Sequence, residues 1–217
     1  MADRAVGIPI VREGWSFVAA GAGATALAGL AGLLLPSAIL AGLTLFMAWF
    51  FRNPPRICPI NPGAVVAPGD GRVIAIAEEF ESRYLKERSI RISIFLNVFN
   101  VHVNRVPCNG SVEAVSYQPG QFFAANRPEA TLRNEQNAIM IRTANNMKVL
   151  CVQVAGLLAR RIVCWVVPGE AVKCGERFGL IRFGSRMDTF VPIGTRIDVV
   201  VGDRVKGGVT LLGQLAA

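Results

Sequence analysis

Histidine is nearly absent from this chain: among 217 residues there is one, His102. A metal centre built on several imidazoles is thereby excluded, and no metal cofactor is expected. The five cysteines, Cys58, Cys108, Cys151, Cys164 and Cys174, are odd in number and contain no C-x-x-C pair. They suggest neither a disulfide framework nor a zinc site, and read as thiols of a reduced, cytosol-facing domain. Runs of basic residues are missing too. Lys and Arg total 23 against 15 acids, but they are scattered, and only two tyrosines accompany them. Nucleic acid is a poor partner for such a surface. A net charge of +8 and 52% hydrophobic residues suit anionic phospholipid headgroups better.

Charge is missing altogether from Trp15 to Phe51. One straight helix through this stretch would be about 55 Å long, against a hydrocarbon core of about 30 Å. Pro36 lies near its middle, where a turn would divide it into two short spans. Arg4 and Arg12 precede it and Arg52 and Arg56 follow, which suits a helical hairpin with both ends cytoplasmic. The Ala- and Gly-rich half, Ala19 to Leu35, would let helix backbones approach closely. The segment lacks a clear signal-peptidase site and has no strong polar face. Residues 1–52 are therefore expected to anchor the chain by spanning or inserting deeply into the cell membrane, with residues 53–217 on the cytoplasmic face.

After Asn53-Pro54-Pro55, which ends any helix, the pattern becomes short apolar runs broken by Gly, Pro and Asn. The runs Ala64–Ala67, Val73–Ala77, Ile90–Phe95, Ile139–Arg142, Val149–Val154 and Ile162–Val167 have the length and β-branching of strands. Glu79 to Arg88 reads as a helical or irregular insert. A weak repeat relates Gly169–Gly175 to Gly202–Gly208, each copy leading into an apolar strand. This turn-then-strand pattern resembles the halves of a lipoyl or biotinyl carrier barrel. A carrier, however, needs a modifiable lysine at a hairpin tip, and Gly184-Ser185-Arg186 lies between the copies instead. The expected fold is mainly β (α+β), with a carrier-like barrel region behind an N-terminal hydrophobic helical hairpin.

Three segments carry candidate chemistry: Ala67-Pro68-Gly69-Asp70-Gly71, Asn100-Val101-His102-Val103-Asn104-Arg105 and Phe183-Gly184-Ser185-Arg186. Each alone fits an ordinary turn or strand. Together they supply an Asp, a His and a Ser without the G-x-S-x-G elbow of common hydrolases. Residue types alone leave open a serine hydrolase, a self-processing enzyme and a non-enzymatic carrier or scaffold.

Six ordered segments resemble the phosphatidylserine decarboxylases. Phe50-Phe51-Arg52-Asn53-Pro54 is similar to the family's FFRDP segment, and Val66 to Gly71 to the segment bearing its triad aspartate. His102 through Gly110 is similar to its histidine segment, with Tyr117-Gln118-Pro119-Gly120 following. Arg133-Asn134-Glu135 resembles its R-N-E segment, and Gly175-Glu176 through Ser185 the approach to its self-cleavage site.

The resemblance implies that Ser185 attacks the Gly184 carbonyl, with His102 as base oriented by Asp70. Elimination through dehydroalanine would turn Ser185 into an N-terminal pyruvoyl group, the covalent cofactor. The products would be a large chain, residues 1–184, and a small chain, residues 185–217, which stay associated; a homo-oligomer is compatible with this. The pyruvoyl ketone would form a Schiff base with the lipid's serine amine and act as an electron sink while carbon dioxide leaves. Phosphatidylserine would become phosphatidylethanolamine in phospholipid biosynthesis, His102 donating the proton. The alternative is another amino-lipid such as archaetidylserine. Many members have a second histidine where this chain has Arg105, which cannot act as a base at neutral pH. Asn53 and Arg186 also depart from the family's usual residues, and the charge of Arg186 suggests contact with a lipid phosphate.

Overall fold

The computed structural model describes residues 9–59, 61, 63–125, 133–157, 162–182 and 184–216. Arg4 and Phe183 lie outside these. The chain divides into two compact units, residues 1–55 and 56–217.

The first unit holds helices α1 (Arg12–Leu30) and α2 (Leu34–Phe50). They lie side by side in opposite directions. The Ser37 hydroxyl donates to the Thr25 carbonyl at 3.1 Å, and Gly21 packs directly on Thr44. The turn falls at Ala31–Leu33 and not at Pro36. Gly32 takes φ +74°, and the Gly32 and Leu33 amides return to the Gly29 and Ala28 carbonyls, closing α1 in a Schellman cap. Pro36 sits in the first turn of α2, where an amide would have no intrahelical partner. Among the described residues no helix is long and apolar enough to cross a membrane. With its 17 residues α2 rises about 26 Å, and α1 begins with the charged Arg12 and Glu13.

The second unit is all β: β1 (Ala64–Val66), β2 (Gly71–Glu81), β3 (Glu87–Leu96), β4 (Val103–Arg105), β5 (Gly110–Gln118), β6 (Gln136–Arg142), β7 (Lys148–Ala155), β8 (Ile162–Cys164), β9 (Ala171–Val172), β10 (Arg177–Ile181), β11 (Ser185–Pro192), β12 (Arg196–Ile197), β13 (Arg204–Val205) and β14 (Leu211–Gln214). An eight-stranded sheet has the order β13-β2-β3-β11-β7-β6-β5-β9, and two three-stranded sheets run β1-β14-β12 and β4-β10-β8. Between the sheets lies a core that includes Ile92, Ile94, Leu96, Ile139, Ile141, Phe178, Ile181 and Met187. All six expected runs begin in strands, although the last leaves β8 after Cys164 and the first leaves β1 after Val66. The expected helical insert at Glu79–Arg88 is a hairpin: β2 and β3 pair out to Glu81↔Glu87. The Glu81 carboxylate accepts the Arg83, Tyr84 and Leu85 amides, which closes the turn without a helix.

These orders are symmetric, because the unit is a duplicated motif. Residues 66–73 match 105–112, and the repeat of 169–175 in 202–208 faces them. The Val66 amide donates to the Pro107 carbonyl and the Arg105 amide to Pro68, both at 2.8 Å. The Gly207 amide donates to Asp70 and the Cys174 amide to Asn109, again both at 2.8 Å. Bulges recur at Val73/Ala75 and Val112/Ala114. The second copy, β4–β10, is nested inside the first, which comprises β1–β3 and β11–β14.

One cysteine expectation is corrected. Cys58 and Cys174, separated by 116 residues, form a disulfide. Linear spacing could not reveal it, since the pair meets only where the turn before β10 comes back to the segment before β1. Cys108, Cys151 and Cys164 remain thiols. Burial raises Cys108 to about 12 and holds Cys151 well above its ordinary value, so neither is a ready nucleophile.

Candidate active site

Ser185 opens β11 in the middle of the large sheet, paired with Leu96 on one side and Ala155 on the other. It is fully buried, and its hydroxyl has no hydrogen-bond partner among the described residues. A buried hydroxyl without a partner costs about 1–3 kcal/mol. Gly184 takes φ +69°, a backbone region that glycine enters freely. The bond between these two residues is thus held at a corner, with the nucleophile already stripped of water.

His102 is also fully buried. Its Nδ1 lies 3.0 Å from the Asn100 carbonyl, and its Nε2 accepts the Gly184 amide at 3.2 Å. Donation from Nδ1 to a carbonyl fixes the neutral tautomer and leaves the Nε2 lone pair facing the Gly184–Ser185 corner. The structure therefore brings His102, Gly184 and Ser185 together.

Asp70 makes its contacts elsewhere. Its Oδ1 accepts the Gly207 amide, and its Oδ2 pairs with Arg56 at 2.8 Å. The group facing His102 Nδ1 is the Asn100 carbonyl. Asp70 and Asn100 line one cavity of about 470 Å³. Arg105 is buried, donates to the Gly175 carbonyl at 2.9 Å and lies opposite Arg177. Burial, with Arg56 and Arg177 nearby, lowers it to about 10, so it stays protonated at neutral pH. Arg186 is buried as well, its guanidinium donating to Asp188 at 2.9 and 3.1 Å and to the Ala125 carbonyl at 3.0 Å. A phosphate at Arg186 would have to displace Asp188. Among the described residues no group of His, Cys, Asp and Glu could hold a metal ion.

Two residues escaped the sequence reading. A Cβ on Gly156 would overlap the Gly184 carbonyl oxygen and lie 3.1 Å from its carbon, so a bare backbone is required beside the bond to be cut. Only the strand neighbour reveals this; no motif marks Gly156. The second is Asn134, whose role its place in the R-N-E segment does not reveal. Its amide donates to the Ala155 and Phe123 carbonyls at 2.7 and 2.8 Å and accepts the Phe123 amide at 2.9 Å, fixing the strand end that flanks Ser185.

The model of one protein family, phosphatidylserine decarboxylase, matches residues 43–213. Among curated relatives, a phosphatidylserine decarboxylase proenzyme of Syntrophus aciditrophicus is 50% identical over 208 residues, covering 94% of this chain and 96% of that protein. Proteins of the same name from Nitrosomonas europaea and Desulfotalea psychrophila are 48% and 41% identical, covering 94% and 96% of this chain and 94% and 97% of their own.

Proposed function

The chain belongs to the phosphatidylserine decarboxylase family, and from that premise we propose that it cuts itself between Gly184 and Ser185 and then decarboxylates phosphatidylserine to phosphatidylethanolamine. The observation that carries this reading is the buried Ser185 hydroxyl, without a hydrogen-bond partner among the described residues, beside a positive-φ Gly184 whose amide faces His102 Nε2. The Ser185 oxygen bonds to the Gly184 carbonyl carbon, and the bond from that carbon to the Ser185 nitrogen breaks. His102 Nε2 takes the hydroxyl proton and passes it to the departing amine. Loss of the Ser185 Cα proton then expels the Gly184 carboxylate, and hydrolysis with release of ammonia leaves a pyruvoyl group. Beside the bond the backbone is open at Gly184, where a Cβ would meet nothing within 4 Å apart from its chain neighbours. Once formed, the pyruvoyl group supplies an electron sink conjugated to the lipid's serine carbon. His102 then returns a proton to that carbon while the Asn100 carbonyl holds its Nδ1, and Asp70, paired with Arg56 and the Gly207 amide, fixes the neighbouring turn. The small chain stays bound through the pairings of β11 with β3 and β7, β13 with β2, and β14 with β1.

The helical unit is the membrane anchor in this reading. Leu27, Leu30, Leu34, Leu35 and Leu45 are each more than two-thirds exposed, a costly arrangement in water. The paired helices enter one leaflet of the cell membrane and leave the β unit on the cytoplasmic face. The test is release of carbon dioxide from phosphatidylserine in mixed micelles, with archaetidylserine as comparison and vesicle flotation alongside. Turnover of phosphatidylserine and co-flotation are expected. Turnover of archaetidylserine alone, or a protein left at the bottom of the gradient, contradicts the respective part.

A further inference from the structure

The cavity beside Asp70 has a partial counterpart of about 600 Å³ beside Asn109, which shares the turn glycine and the lysine (Gly110 and Lys173) but is also lined by Cys58, Pro59 and Leu215. The backbones agree, but the side chains do not. At the Asp70 cavity stand Arg72, Arg204 and Lys206, whose counterparts are Ser111, Ala171 and Lys173. We propose that the Asp70 cavity binds the phosphodiester of the phospholipid headgroup through Arg72, Arg204 and Lys206. This rests on the substrate reading above and adds to it the residues that hold the headgroup.

Arg72 and Arg204 are direct cross-strand partners, and Lys206 follows two residues on. Like charges placed opposite each other repel unless an anion lies between them. All three side chains are exposed, and none forms an ion pair among the described residues. The one carboxylate lining the cavity, Asp70, is already committed to Arg56 and the Gly207 amide. The three cations thus await a counter-charge that no described residue provides. Two residues of the cavity wall are next to groups at the reacting bond. Asn97 in its wall follows Leu96, the strand partner of Ser185, and Asn100 carries the carbonyl that faces His102 Nδ1. In phosphatidylserine only a short ester arm separates phosphate from serine, so a phosphate held here keeps the serine close to Ser185. Phe99, 64% exposed at the rim, offers the acyl end an apolar contact.

The test uses the uncleaved Ser185→Ala protein, titrated calorimetrically with glycerophosphoserine, inorganic phosphate and free serine. Because it needs neither processing nor turnover, its outcome is independent of whether decarboxylation is observed. Glycerophosphoserine is expected to bind, with Arg72→Gln/Arg204→Gln weakening it roughly tenfold or more through lost charge-assisted bonds. Arg72→Lys/Arg204→Lys should retain most of the affinity, which separates charge from folding, and Lys173→Gln in the counterpart cavity should change nothing. In the processed enzyme Lys206→Gln should raise KM and leave kcat alone. Absence of binding, affinity indifferent to the double Gln variant, or an equal loss from Lys173→Gln overturns the proposal. Inorganic phosphate binding as tightly as glycerophosphoserine, or free serine doing so, overturns the assignment to a headgroup.

Discussion

In the Asn109 half of the β unit, β6 and β7 are joined by the short turn Thr143–Met147, whereas their counterparts in the Asp70 half, β3 and β11, are separated by the whole nested copy. The chain leaves β3 at Leu96 and re-enters at Ser185. Gly184, at φ +69°, occupies the corner that Asn146 occupies at φ +61° in the intact turn. The backbone demand is the same at both corners, but one is a closed hairpin tip and the other a seam. Strands clamp the seam on both sides, so after the cut β11 still has β3 and β7 as its neighbours. The comparison shows how a fold can lose a peptide bond at its centre and keep its shape. It also sets Asp70 against Asn109: each accepts a turn amide, but only Asp70 has Arg56 on its other oxygen.

His102→Gln should break this comparison most severely. It removes the Nε2 acceptor from the seam and should slow self-cleavage by about 10²–10⁴-fold, followed by band conversion on denaturing gels. Cleavage at the parent rate would remove His102 from the mechanism. Next is Gly156→Ala, which pushes a methyl group against the Gly184 carbonyl; displacing a reacting atom by about 1 Å can cost about 10²-fold in rate. The melting temperature should fall less than the rate does, since Gly156 lies beyond the end of β7. Wild-type cleavage in Gly156→Ala would mean that the seam tolerates what the geometry forbids.

A swap of the turn residues sharpens the contrast between the halves. Asp70→Asn keeps the acceptor for the Gly207 amide but discharges the partner of Arg56, and should lower decarboxylation by roughly tenfold, in line with about 1.5 kcal/mol for a charged hydrogen bond. Asn109→Asp should leave kcat/KM unchanged. Equal effects in the two variants would deny that the halves have diverged. The smallest effect is expected from Asn134→Ala, where lost buried hydrogen bonds should cost about 1–3 kcal/mol of stability by denaturant titration, with cleavage slowed only as far as the β7 end loosens.

Much of this architecture was legible in the residues. Alternating and β-branched runs located the strands, and the ordered segments brought attention to Asp70, His102 and Ser185. One of the two repeats, 169–175 with 202–208, was visible because its glycines recur. Its partner, 66–73 with 105–112, was hidden by changes such as Asp70 to Asn109 and Arg72 to Ser111, although Pro68 and Pro107 and the following glycines persist. The β2–β3 hairpin was missed because its charged residues suggested an insert, when a single glutamate closes the turn. The break between the helices was assigned to Pro36 because proline ends helices, but a proline in the first turn is harmless and Gly32 makes the turn. Gly156 and the Cys58–Cys174 bond depend on neighbours distant in sequence, and nothing local announces either.

The central claim, that the seam at Gly184–Ser185 is cut and yields the cofactor, is tested most directly by intact mass spectrometry of the purified protein beside Ser185→Ala. The account predicts two fragments from the parent, the smaller beginning at position 185 with the mass of a pyruvoyl terminus, and one uncut chain from the variant. A single uncut mass from the folded parent protein would contradict it.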